Sequence, residues 1–487
     1  MKTAGIIAEY NPFHNGHLYQ IEEVRKQTGA DYVVIVMSGD FVQRGEPAIF
    51  DKYTRTRMAL SAGADLVLEL PVSFATASAE LFAHGAVSLF NQTGIVDLLC
   101  FGSESGSLDD LRATAEILVR EPEEYTQNLR AFLKEGNSFP LARSLALRAF
   151  LESQNVEASP KSPASRSESP VMRSASSSSS SLSSSPQIPL SSPNDILGVE
   201  YLKALIRTDS SIEPFTIRRE GQGYNDSTNP ETLGSLHSTS MAFPSASALR
   251  AMICENVDVE MNGTGNMEMN RTRNENRNSE KEEDTEVTKI SNLIQMLSLW
   301  IPHSALDALN AEGALATPIF ADDFSLLLNS KLLELSQSQI PFEQFADLSP
   351  ELASRLLASV LTFDSFSGRI TALKSRQYTY TRISRALLHL LLGIKSTTME
   401  EYKKSERLPY ARILGFRKSA SPLLSKLKAN SSIPTLAKIA GAESKLSECG
   451  VQMLREELFA SHLYQSVVFQ KGRRMKNEYT RSIVLLP

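Results

Sequence analysis

The stretch Ala4-Gly5-Ile6-Ile7-Ala8-Glu9-Tyr10-Asn11-Pro12-Phe13-His14-Asn15-Gly16-His17 decides how the chain reads. Its first half is an apolar run of strand length. Its second half breaks that run with Asn, Pro and Gly. Pro12 disfavours helix in the residue before it, and Gly16 lets a backbone approach a ligand closely. From Gly16 to about Thr28 the pattern is helical. A buried strand passing through a turn into a helix is the opening unit of an α/β sheet, and ligands bind such sheets at the carboxyl ends of the strands. Two of the seven histidines, His14 and His17, fall at this turn. His17 lies in the first helical turn, where free N–H groups and the helix dipole favour phosphate. An imidazole there can donate to phosphate oxygens and gain charge as a transition state gains it.

The unit repeats outward from there. Tyr32–Met37, Asp65–Leu70, Val96–Gly102 and Pro214–Arg218 read as strands, nearly all apolar. Helical patterns separate them at residues 51–62, Ser78–Thr93, 107–151 and Asp195–Arg207. Such spacing predicts a Rossmann-like α/β domain whose parallel sheet is covered on both faces. Residues 288–487 are Leu-rich at helical spacing (Leu293, Met296, Leu297; Leu387, Leu388, Leu391) and predict an α-helical C-terminal domain. Three segments lack the apolar content to offset ordering entropy. Residues 153–193 hold 18 serines in 41 positions, 226–241 are polar, and 257–287 are densely charged. The expected organisation is a catalytic domain over 1–256 with disordered inserts at about 153–193 and 226–241, a charged linker over 257–287, and a helical domain over 288–487.

Composition adds exclusions. Three dispersed cysteines (Cys100, Cys254, Cys449) exclude a disulfide framework and suit a reducing, cytoplasmic setting. The longest apolar stretch, Ala386–Ile394, is about half of what a membrane span needs, so no membrane partner is expected. The net charge of −6 argues against a nucleic-acid partner, but the average conceals an asymmetry. Residues 367–428 carry 14 Lys and Arg against 3 Asp and Glu. Within them Lys374, Arg376, Tyr378, Tyr380, Arg382 and Arg385 interleave cations with aromatics, a combination suited to phosphate contacts and base stacking. A solvated helix face is the commoner origin of such a run; the one-sided excess with aromatics inside it favours RNA.

The His-x-Gly-His element resembles the signature of the nucleotidylyltransferase superfamily. Ser245-Ala246-Ser247-Ala248-Leu249-Arg250 resembles that superfamily's triphosphate-closing loop. Further segments narrow the likeness: Met37–Ala48, Gly63–Pro71, Phe101-Gly102-Ser103-Glu104, Pro193–Gly198 and Tyr410–Phe416. Together they resemble the bacterial tRNA(Met) cytidine acetate ligase family. The resemblance implies that acetate attacks the α-phosphate of ATP and that the acetyl group then passes to N4 of the wobble cytidine of elongator tRNA(Met). It implies ATP contacts along Ile7, Ala8, Glu9, Tyr10, Asn11, Pro12, Phe13, His14, Asn15, Gly16, His17, Leu18, Tyr19 and Gln20, and at Gly102, Asn194, Arg218 or Arg219, Ser245, Ser247 and Arg250. As a helix N-cap, Asn194 is equally well explained. His14, His17 and Asp40 are the expected catalytic residues. Gln43 and Arg44 are expected with Asp40 on the acetate and cytidine side, and Arg412 on the RNA surface. The triphosphate is expected to bring Mg²⁺, with no protein metal ligands assigned. Two other readings stand beside this one. One is an adenylyltransferase for a small phosphorylated metabolite, with an oligomerising helical half. The other is an RNA-binding module on a degenerate nucleotide fold. The basic stretch disfavours the first and the paired histidines the second.

Overall fold

The computed structural model describes residues 1–157, 192–219, 244–258, 291–405 and 407–487. Its strands are β1 (Thr3–Ala8), β2 (Tyr32–Ser38), β3 (Phe41–Val42), β4 (Glu46–Pro47), β5 (Leu66–Leu70), β6 (Leu98–Ser103), β7 (Glu213–Arg218), β8 (Ala411–Arg417), β9 (Thr435–Leu436) and β10 (Val484–Leu486). The main sheet runs β10-β8-β5-β2-β1-β6-β7, with β9 also paired to β8, while β3 and β4 form a separate hairpin. Strands β5, β2, β1, β6 and β7 are mutually parallel. By sequence they lie in the order third, second, first, fourth, fifth. The winding therefore reverses between β1 and β6, and that switch point is where open sheets of this kind take ligands.

The apolar strands divide their side chains between two cores. From β2, Val34 and Val36 enter one core while Val33, Ile35 and Met37 enter the other. Successive residues of a strand point to opposite faces, so a sheet covered on both sides needs this unbroken apolar run. The first core also takes the helix Ala79–Thr93 and most of the C-terminal helices. The second takes the helices Asn15–Thr28 and Lys52–Ser61 and the segment 291–315.

Residues 291–487 are mostly helical, as expected, but they are not separate from the sheet. Strand β8 pairs antiparallel with β5, and β10 pairs parallel with β8. The backbone N–H of Asn15, at the start of the first helix, donates to the Trp300 carbonyl at 2.8 Å. A boundary between 256 and 288 therefore does not divide the core. Local patterning missed this because the partner of 411–417 lies some 340 residues earlier. Most of the serine-rich stretch, all of 226–241 and nearly all of the charged linker lie outside the described residues. Only their fringes are seen, in the helices Phe139–Glu157 and Ala246–Asp258 and at the start of the helix Pro193–Arg207.

A buried ionic cluster joins the halves. Lys52 Nζ lies 2.8 Å from Glu69, 3.2 Å from Glu478, 3.4 Å from Glu457 and 3.8 Å from Asp40. Arg412 pairs with Glu69 at 2.9 Å and with Glu478. All six side chains are buried. Glu69 is on β5, Arg412 on β8, Glu457 on the helix Glu448–Gln470, and Glu478 near the C-terminus. Burial and the neighbouring Glu69 hold the Glu457 carboxyl well above the usual carboxylate range. Among the described residues, no helix is long and apolar enough to cross a membrane.

Candidate active site

The helix Asn15–Thr28 is capped by histidine. The Nδ1 of His14 accepts the Gly16 N–H at 3.0 Å, and the Nδ1 of His17 accepts the His14 N–H at 3.2 Å. This is a reciprocal capping box made by two imidazoles, with the rings stacked 3.8 Å apart. Because each Nδ1 is an acceptor, each neutral ring carries its proton on Nε2. Burial and the Arg219 charge push the His14 imidazole down to about 3. Burial, His14 and Arg219 hold His17 well below its ordinary value. Without an anion in place, both rings are therefore neutral N–H donors at physiological pH.

The histidines line a cavity of about 370 Å³ outside β1 and β6, at the switch point. This volume suits a small-molecule substrate. Of the stretch Ile7–Gln20, all but Pro12, Phe13, Asn15 and Leu18 line it. Phe13 is buried in the second core, and Asn15 donates to the Leu299 carbonyl. Tyr10, at φ +49°, packs its ring edgewise on Phe13 and His17. Gly102, Asn194, Arg218, Arg219 and Ser245 all reach the same cavity. Asn194 is in the first turn of the helix Pro193–Arg207, whose N-cap is Ser192, so capping does not explain it. Its amide donates to Glu104 Oε1 across the cavity wall. Of the two arginines, Arg219 crosses Gly102 and is the one whose charge reaches both histidines, while Arg218 packs against Gly106.

Ser247 and Arg250 are beside the cavity without lining it. Arg250 donates to the Asn11 carbonyl at 2.8 Å and to Ser247 Oγ at 3.2 Å, bracing the turn before His14. Asp40 is a correction. Its carboxylate is buried, accepts the Lys52 N–H at 2.8 Å and belongs to the ionic cluster, so it does not face the cavity. Gln43 and Arg44, from the turn between β3 and β4, do line it, and Glu9 Oε1 accepts the Gln43 N–H at 2.8 Å.

Sequence reasoning missed the apolar wall made by Phe82, Phe101, Leu197 and Tyr201. On helices and strands these residues read as ordinary core. It also missed Arg55, wholly buried, which donates to the Phe50 carbonyl and to those of Glu9, Ser38 and Gly39 at the ends of β1 and β2. Only the tertiary approach of two strand ends shows that role. Among the described residues, no three His, Cys, Asp or Glu side chains cluster as a metal cage.

The basic stretch divides. Lys374 and Arg376 are exposed, and Tyr380 and Arg382 are half-buried. Three expected RNA contacts are corrected. Arg412 is sealed in the ionic cluster. Tyr378 is buried, its hydroxyl bonded to Ser349 at 2.6 Å and its ring covered by Arg382 at 5.0 Å. Arg385 is committed to Asp347 at 3.0 Å. Sequence counts a cation as available whether or not a carboxylate meets it in the fold.

A parallel sheet switched at β1/β6, with His-x-Gly-His opening the first helix beneath the cavity, defines a nucleotidyl-transfer class of fold. A family model described as HIGH Nucleotidyl Transferase matches residues 1–479. The tRNA(Met) cytidine acetate ligase of Acetivibrio thermocellus is 38% identical, with 100% of both chains covered. That of Clostridium novyi is 34% identical over 90% of each. Among solved structures, Thermotoga maritima TmcAL bound with alpha-thio ATP superposes with a TM-score of 0.76 at 27% identity, both chains fully covered, and its apo form with 0.77. The chain belongs to the HIGH nucleotidyl transferase family and, within it, to the tRNA(Met) cytidine acetate ligase family.

Proposed function

We propose that the chain is an ATP-dependent ligase that activates acetate as acetyl-adenylate and passes the acetyl group to N4 of the wobble cytidine of elongator tRNA(Met). The observation that carries the reading is full-length similarity to ligases of that name, in a chain whose cavity is built around the paired histidines.

In the first step an acetate oxygen attacks the α-phosphorus, the bond to the bridging oxygen breaks, and pyrophosphate leaves. Two anions must meet, so donors and positive charge are required where charge builds. The Nε2–H groups of His14 and His17, with Arg219 beside them, are assigned to the phosphates. Phe82, Phe101, Leu197 and Tyr201 offer apolar surface for the base, and Gln43 and Arg44 polar contacts for acetate. Mg²⁺ accompanying the triphosphate would neutralise part of its charge, with no side chain of the described residues assigned to hold it. In the second step the cytidine amine attacks the acetyl carbon, AMP leaves, and the amine loses a proton. A cytosine amine is a weak nucleophile, which explains why acetate is first given AMP as a leaving group. A wobble base in a single-stranded loop can be splayed into a pocket. Lys374, Arg376 and Arg382 are assigned to the RNA backbone.

The test is to incubate the protein with ATP, labelled acetate and tRNA. Label should enter tRNA only with ATP, and His17→Ala should abolish pyrophosphate release while leaving tRNA affinity nearly intact. Transfer of AMP to a phosphorylated metabolite, with no label in tRNA, would refute the reading.

A further inference from the structure

The turn that carries Gln43 and Arg44 into the cavity is held from behind by an element remote in sequence. Gly45, the next residue, sits at φ +78°. A Cβ there would fall inside the backbone N of Arg385 and the carbonyl carbon of Ser384. The hairpin is therefore in backbone contact with the helix Tyr380–Leu392. One side-chain bond fixes the contact: the buried Ser384 hydroxyl donates to the Gly45 carbonyl at 2.9 Å. The same helix is itself anchored. Arg385 pairs with Asp347, and His389 Nε2 lies 3.1 Å from Thr76 Oγ1. At its N-terminus the helix carries Tyr380 and Arg382, next to exposed Lys374 and Arg376. One rigid helix thus has its first turn in the basic surface and its second turn against the hairpin that supplies Arg44.

We propose that Ser384 and Gly45 are positioning residues for acetate: their contact sets Arg44 and Gln43 against the acetate carboxylate and registers that half of the cavity to the RNA-receiving surface. This rests on the ligase reading. The physical argument is that Arg44 is on a two-residue-per-strand hairpin, too short to hold a geometry of its own. A guanidinium binds a carboxylate well only when its fork is held in plane with it. Shifts of about 1 Å at such a contact are costly to reaction rate. The hairpin touches the end of β1 through the Gln43 N–H and Glu9 Oε1, but the ATP contacts of β6 and β7 come from the main sheet, so the larger effect should fall on acetate.

Acetate-dependent exchange of labelled pyrophosphate into ATP, without tRNA, reads the first step. Ser384→Ala should raise KM for acetate roughly five-fold, the loss expected for one ordinary hydrogen bond, and change KM for ATP much less. Arg44→Gln should reproduce the acetate-specific defect more strongly. Gly45→Ala, with strained backbone and no room for the methyl group, should exceed Ser384→Ala. Because that variant could fail to fold, the Ser384→Ala result decides. An unchanged acetate KM in Ser384→Ala, or equal changes in the acetate and ATP values, would overturn the proposal. Wild-type protein without acetate-dependent exchange would instead defeat the ligase reading, and the proposal with it.

Discussion

At the residue scale, the most informative feature is that His14 and His17 are helix caps before they are ligand contacts. Each ring commits Nδ1 to a backbone N–H, which dictates the tautomer and leaves Nε2–H for the substrate. The cost is a titration burden. An unfolded His14 titrates near 6.5, whereas burial and Arg219 bring the folded one to about 3. Between these values the unfolded chain binds a proton that the folded chain does not, so stability must fall as pH falls through that window. Glu478, held down at about 2 by Lys52 and Arg412, loses its contribution only at lower pH. Between pH 7 and pH 5 Glu478 is therefore silent, and the difference between a His14 variant and wild type cancels the raised carboxyl groups such as Glu457. There, His14→Gln should show a shallower fall in Tm than wild type; parallel slopes would contradict the buried, neutral assignment. The His-x-Gly-His pattern was legible in the sequence, but the tautomer was not, because it depends on which backbone N–H each ring meets.

At the scale of elements, helix and loop divide the basic stretch into what is structural and what is exposed. The loop before the helix Tyr380–Leu392 exposes Lys374 and Arg376, while the helix body buries Ser384 and commits Arg385 to Asp347. Counterion release makes the outcome measurable. Removing Lys374, Arg376 or Arg382 should each reduce the salt slope of tRNA binding by about 0.7 to 0.9. Arg385→Ala should alter it little, and should instead lower stability by leaving the half-buried Asp347 without its arginine. Equal slope changes for all four would mean that the division between exposed and committed cations is wrong. Here the sequence showed only that a one-signed charge excess exists. Which cations reach solvent depends on carboxylates and rings brought in from residues 347 to 378 by folding.

At the scale of the whole molecule, the ionic cluster makes the two halves one body. Lys52 is a wholly buried cation among four carboxyl groups from distant elements. Removing one partner from such a cluster leaves charge uncompensated, so Lys52→Met should cost roughly 3 to 5 kcal/mol in denaturant unfolding. Glu457→Gln, replacing a carboxyl whose charged form burial and Glu69 disfavour, should cost far less. Comparable losses would show that Glu457 is charged in the fold. Because the cluster includes Glu69 of β5 and Arg412 of β8, both variants should lose the halves in a single transition.

The sequence by itself determined the strand–helix alternation from residue 1 to 219, the placement of His14 and His17 after the first strand, and the helical character of the chain from residue 291 onward. Those properties are local: an unbroken apolar run fits only a doubly covered strand, and a turn residue acts on its neighbours. The tertiary structure alone decided that 411–417 completes the sheet, that Asp40 is a buried partner of Lys52 and Arg412 a buried partner of Glu69 and Glu478, and that Gly45 touches Ser384. These are contacts between residues tens to hundreds of positions apart. No periodicity encodes them, because they arise from the packing of whole elements and from how buried charges find partners of opposite sign.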